Sequence, residues 1–172
     1  MDERISERRD NAVIHIKGCI DEDFLNYKEP SMFIITSKCS FKCDIESGES
    51  LCQNGSLAGA QAKEISVNRI IKKYIHNPIT SAIVFGGLEP FDQFEELLLF
   101  VTELRRYFSR GDTVVIYTGY YEEEIREQVE EITKLGNIII KYGRFIPNDD
   151  KRYDEVLGVY LASQNQYAKL YK

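Results

Sequence analysis

Cys39, Cys43 and Cys52 stand within 14 positions of one another in a chain of 172 residues. Their neighbours Lys38, Ser40, Lys42, Asp44 and Glu46 form a polar loop, which argues against three unrelated core cysteines. Cysteine thiolates are the usual ligands of iron–sulfur clusters, and a four-iron cube normally takes four of them. Three leave one iron open, and an open position separates a metal site that does chemistry from one that only holds structure. A structural zinc site is the main rival. It needs a fourth ligand, and Cys19, His15, His76 or a nearby carboxylate lack the paired spacing of a finger or ribbon. Spacing alone favours a metal or cluster site without choosing between them. Cys19 stands apart and reads as a packed or partly exposed free thiol.

Such a loop needs a scaffold, and the apolar pattern supplies one. Residues 32–36 form a continuous β-branched run, as in a strand covered on both faces. Similar runs occupy 82–85, ending at Gly86-Gly87, then 113–117, ending at Gly119, and 137–140, ending at Gly143. Between them, Phe94, Leu97, Leu98, Val101, Leu104 and Phe108 share one helical face, with Asp92 and Glu95 spaced as an N-terminal capping pair. Ile125, Val129 and Ile132 mark a second helix closed by Gly136. Val67, Ile70, Ile71, Tyr74 and Ile75 mark a third, stopped before Pro78. The alternation predicts an α/β fold, a mostly parallel sheet with alternating helices closing into a partial (βα) barrel. Residues 11–16 and 156–160 are expected to add edge strands. In such folds ligands gather at the carboxyl ends of the strands. The cysteine loop follows the first of those ends.

Length and composition suit one globular domain over residues 1–172, with its core at about 31–167 and residues 1–30 as an N-terminal extension. Hydrophobic residues make up 43% and charged residues 29%, which excludes disorder and fibrous repeats. Lys plus Arg total 22 against 28 Asp plus Glu, a formal charge of −6, so no nucleic-acid ligand is expected. No apolar run approaches the roughly 20 residues that span a bilayer, and the charged start lacks a secretory signal. A cytoplasmic protein with no membrane association is expected.

Beyond composition, the motifs resemble those of the radical S-adenosylmethionine (SAM) superfamily, in particular the small activating enzymes of anaerobic glycyl-radical ribonucleotide reductases. Cys39-x3-Cys43 matches the first pair of that family's Cys-x3-Cys-x2-Cys. Cys52 follows after eight intervening residues instead of two and continues as Gln53-Asn54, so a six-residue insertion separates the second and third cysteines. Gly86-Gly87-Leu88-Glu89-Pro90 resembles the family's Gly-Gly-Glu-Pro with Leu88 added. Tyr117-Thr118-Gly119-Tyr120, Gly143-Arg144-Phe145 and Ser163-Gln164-Asn165-Gln166 are similar to later family segments, with Tyr142 where an acidic residue is common.

This resemblance implies that Cys39, Cys43 and Cys52 ligate a 4Fe-4S cluster and that SAM chelates its open iron. Reductive cleavage of SAM would give methionine and a 5′-deoxyadenosyl radical. Phe41, Gly86, Gly87, Glu89, Tyr117, Thr118, Gly119 and Asn165 are implied in cofactor binding, Glu89 toward the methionyl amino group and Asn165 toward the nucleoside. Lys38 and Lys42 would offset cluster charge. The implied partners are a glycyl-radical enzyme, namely an anaerobic ribonucleotide reductase, and an electron donor such as flavodoxin or ferredoxin. The insertion would alter partner contact. The alternatives are a radical SAM enzyme acting on a peptide or small molecule, and a non-catalytic cluster- or zinc-binding interaction module.

Overall fold

The computed structural model describes residues 12–107 and 111–172. Period-two alternation in three central strands builds two apolar layers. In β4 (Ala82–Gly86), β5 (Thr113–Tyr117) and β6 (Ile138–Tyr142), residues Ile83, Phe85, Val114, Ile116, Ile138 and Ile140 join the main core. Their neighbours Ala82, Val84, Val115 and Ile139 join a smaller cluster. Successive side chains of a strand point to opposite faces, so these clusters lie on the two sides of one sheet.

The three longer helices cover only the first side. They are α3 (Val67–Ile75), α4 (Phe94–Tyr107) and α5 (Arg126–Thr133), and their apolar stripes all enter the main core. Each was legible from its three-to-four-residue period, although Phe108 lies outside the described residues. On the second side, Tyr27, Leu157 and Leu161 take the place of helices. Leu161 belongs to a small hairpin of β7 (Arg152–Asp154) and β8 (Val159–Leu161).

The expected partial (βα) barrel is not what forms. The sheet is mixed and open, seven strands in the order β3-β1-β2-β4-β5-β6-β9. Only the middle is parallel, through the pairs of β2 (Ser31–Thr36) with β4, β4 with β5, and β5 with β6. Antiparallel strands occupy both flanks. β1 (Val13–Asp23) pairs with β2 and with β3 (Lys63–Ser66), while β9 (Tyr167–Tyr171) returns along β6. Closure needs strands that continue the parallel stagger around an axis, and these flanks end it.

Two local misreadings explain the difference. The expected strand at 11–16 runs on to Asp23, because register shifts after Ile16 and after Ile20 break the period without ending the pairing. The strand expected at 156–160 is mostly a turn. Leu157 N–H donates to the Asp154 carboxylate at 3.0 Å and Gly158 N–H to the Asp154 carbonyl at 2.7 Å, with Gly158 at a φ of +71°. The strand that pairs with β6 is the later β9, whose Tyr171 hydroxyl meets that of Tyr142 at 2.8 Å.

Among the described residues no helix is long and apolar enough to cross a membrane.

Candidate functional site

The strand ends gather on the side of the sheet that the three longer helices leave open. There a pocket of about 500 Å³ is lined by Cys39, Cys43 and Cys52 together with Gly87, Leu88, Glu89, Tyr117, Thr118, Gly119, Lys141 and Gly143. The three thiols from one loop thus share a space with residues from the ends of β4, β5 and β6. Among the described residues, no three His, Cys, Asp or Glu side chains close on a point as the ligands of a single ion would. Three thiols are one short of the four ligands of a structural zinc and are the donor type of an iron–sulfur cluster.

The loop is held at its start by the segment after β4. Gln93 Oε1 accepts from the N–H groups of Ser37 at 2.8 Å and Lys38 at 3.3 Å. The Lys38 carbonyl accepts from Glu89 N–H at 2.8 Å, and the Asp92 carboxylate accepts from Ser40 N–H at 2.5 Å. Asp92 also accepts from the Tyr120 hydroxyl. This corrects the expected capping pair of Asp92 with Glu95. Asp92 lies inside a 3-10 turn, Pro90–Gln93, which Glu89 caps by accepting from Phe91 N–H at 3.1 Å.

The cysteine loop itself contains two short helices that periodicity did not show, α1 (Lys42–Ser47) and α2 (Gly55–Ala58). Phe41 opens α1 at a φ of +52°, and its N–H points at Cys39 Sγ, 3.3 Å away. Burial pushes the Cys39 thiol up to about 12, against the opposing Phe41 N–H, with the Glu89, Asp92 and Cys52 charges adding to the rise. Burial also raises Cys43, offset by a backbone hydrogen bond from Phe145 and by Arg144. Iron would have to displace these protons to bind.

Gly86 and Gly87 let the β4 exit pass close to β2. A Cβ on Gly87, whose φ is +87°, would stand 2.5 Å from Ile35 Cγ2. Gly119 leaves open the space between a thiol and a carboxylate, since a Cβ there would lie 3.6 Å from Cys43 Sγ and 3.7 Å from Glu89 Oε2.

Glu89 is buried and accepts from Thr118 Oγ1 at 2.8 Å and Gly119 N–H at 2.9 Å. Burial dominates these bonds and pushes its carboxyl up to about 7. The added Leu88 is buried and forms part of the pocket wall.

Lys141 was not foreseen. It interrupts the apolar run of β6 on the same face as Ile139, and a charged residue inside a doubly covered strand was the available signal. Its ammonium donates to the carbonyls of Gly143 at 3.0 Å and Thr118 at 3.3 Å. Burial pushes its pKa down to about 8, against the attraction of Glu89 and Cys43. Lys38 and Lys42, expected to offset cluster charge, pair with Glu96 at 3.6 Å and Glu124 at 3.3 Å.

The Gly143-Arg144-Phe145 motif gives no sign of it, yet Arg144 is buried and central. Its guanidinium forks onto both oxygens of Glu124 at 2.6 and 2.7 Å, reaches Glu46 of α1 at 2.7 Å and lies 4.9 Å from the centre of the Tyr121 ring. Asn165 packs behind it, donating to the Arg144 carbonyl at 2.9 Å and the Tyr121 hydroxyl at 3.1 Å. Phe41, Gly86 and Asn165 therefore support the site from around it, while the other expected cofactor residues border the pocket.

The histidine and cysteine candidates for a fourth zinc ligand are engaged elsewhere, and the carboxylate that shares the pocket with the thiols is Glu89. His15 pairs with Glu96 and Glu64, His76 bonds the Lys72 carbonyl, and Cys19 packs against the main core.

The model of the family described as a 4Fe-4S single cluster domain matches residues 30–167. The chain belongs to that family. Its members are found in radical SAM enzymes, and a 4Fe-4S cluster is the group this 4Fe-4S single cluster domain carries. The donor set fits it, with three partly buried thiols around one pocket and a buried cation beside them. No curated protein matches the chain.

Proposed function

We propose that the protein is a radical SAM enzyme in which Cys39, Cys43 and Cys52 hold the cluster and SAM binds in the same pocket. The observation that carries this reading is the presence of Glu89 and Lys141 beside the three thiols. A buried carboxylate and a buried ammonium lining one pocket complement the amino and carboxylate groups of an amino-acid ligand, such as the methionyl part of SAM. Once bound, the cluster supplies the single electron that cleaves the SAM sulfonium to methionine and a 5′-deoxyadenosyl radical.

The protein's own residues bind and orient. Glu89 accepts from the amino group, held in place by Thr118 and Gly119. Lys141 faces the carboxylate while its other hydrogens stay on the Thr118 and Gly143 carbonyls. Gly119 allows close backbone approach between Cys43 and Glu89. Leu88, Phe33 and Ile35 exclude water from the wall. The substrate we propose is a glycine of a glycyl-radical enzyme, an anaerobic ribonucleotide reductase, with a flavodoxin- or ferredoxin-like electron donor.

The test is anaerobic. Reconstituted and reduced protein given SAM should form 5′-deoxyadenosine, and Glu89→Gln should suppress it with iron content unchanged. An intact iron–sulfur spectrum without SAM binding would overturn the proposal and leave a cluster-binding module.

A further inference from the structure

Cys43 and Cys52 are separated by eight residues, a span that could swing the third thiol away from the other two. The loop is instead drawn shut by one side chain. Asp44 Oδ1 accepts from the N–H groups of both Leu51 and Cys52, each at 2.8 Å. The same residue's carbonyl accepts from Gly48 N–H at 2.9 Å and Ser47 Oγ at 3.0 Å, and Gly48 turns the chain at a φ of +72°. Asp44 therefore closes the loop twice, through its backbone at the end of α1 and through its carboxylate at the return to Cys52.

Glu46 anchors α1 to Arg144 at 2.7 Å, but that pair fixes the Cys43 side of the spacer and, among the described residues, makes no bond to the segment that returns to Cys52. α1 has no buried residue, Ile45 is 73% exposed, and Ser47 and Glu49 bond only within the turn. An eight-residue spacer left free would sample many conformations, and ordering it on cluster binding would cost entropy. We propose that Asp44 is the positioning residue for the third cluster ligand: by binding the Cys52 backbone it gives the long spacer the reach of a short one. Being adjacent to Cys43 and bonded to the Cys52 N–H, it ties the backbone of the two cysteines to a common point. The proposal rests on the reading of Cys52 as a ligand.

Wild type, Asp44→Ala, Asp44→Asn and Cys52→Ala are reconstituted anaerobically. Iron and sulfide per chain, the spectrum of the reduced cluster, the rate of cluster loss to a chelator and the melting temperature of the metal-free protein are then measured. Asp44→Ala should lose its cluster about tenfold faster or more, the range seen when a ligand's supporting partner is removed, and should alter the spectrum. Asp44→Asn keeps an acceptor oxygen and should stay near wild type. The metal-free melting temperature should not move, because the contact closes a surface loop. A wild-type rate in Asp44→Ala alongside a lost cluster in Cys52→Ala overturns the role of Asp44 alone. Equal loss in Asp44→Asn and Asp44→Ala, or a metal-free melting temperature lowered in Asp44→Ala, also overturns it. A full cluster in Cys52→Ala overturns the ligand reading instead.

Discussion

Thr118 Oγ1 lies 2.8 Å from Glu89 Oε1, so a hydroxyl at the end of β5 fixes a buried carboxyl from the end of β4. With Gly119 N–H on the other oxygen, the side chain is aimed before any ligand arrives. The donors leave capacity unused, since a carboxylate has about four lone-pair sites.

Glu89 makes the site pH-dependent. Its carboxyl is raised from 4.5 to about 7 by burial. A carboxyl raised in the folded state contributes stability below its ordinary pKa, and that contribution is lost as pH rises through about 7. The metal-free protein should thus lose stability relative to Glu89→Gln between pH 5 and pH 8, by a few kcal/mol. Urea unfolding of both at those two values measures the difference, and parallel curves would refute it. Binding of an amino-group ligand should have the opposite trend, strengthening as Glu89 ionises.

Lys141→Met should leave the fold intact, because the replacement fills a similar apolar space between Ile139 and the Tyr117 ring. It removes a charged donor, so SAM affinity at equilibrium should fall roughly tenfold or more. Unchanged affinity would remove the lysine from the site.

The Arg144 cluster holds α1 against the β6 exit. Arg144→Met should destabilise the protein by roughly 1–3 kcal/mol, since Glu124 loses its forked partner. Arg144 is the first cause of the low Glu124 pKa, about 2. A depressed carboxyl contributes stability above its ordinary pKa of 4.5, and the contribution is lost as pH falls through about 2. Acid titration of the folded state should therefore show the variant unfolding at higher pH than wild type.

What the sequence disclosed and what it hid divide by pattern. Ile83, Phe85 and their counterparts in β5 and β6 stand in unbroken apolar runs, so the parallel centre and helices α3 to α5 were legible. β1 and β9 carry polar and exposed residues among their apolar ones, and Gly18 sits at the break in the β1 register that hides its length. The cysteines were legible because thiols in a polar loop are chemically unusual. Asp44 and Arg144 were not, because a surface-type residue beside a cysteine or a glycine shows its role only when its partner is in place. Lys141 could have been found, since burial of Ile138, Ile139 and Ile140 implies burial of the lysine that follows.

Gly87→Ala should destabilise by about 2 kcal/mol or more, from the left-handed backbone and the overlap with Ile35. Gly55→Ala is the control. It lies in α2 with nothing within 4 Å of its would-be Cβ, and thermal unfolding should find it neutral or slightly stabilised.

The central claim is that three particular thiols hold one cluster. Iron and sulfide counted in the four single Cys→Ala variants after anaerobic reconstitution test it most directly. Cys19→Ala should retain the wild-type cluster, while Cys39→Ala, Cys43→Ala and Cys52→Ala should each lose it. A full 4Fe-4S cluster in any of those three, or its loss in Cys19→Ala, would contradict the assignment.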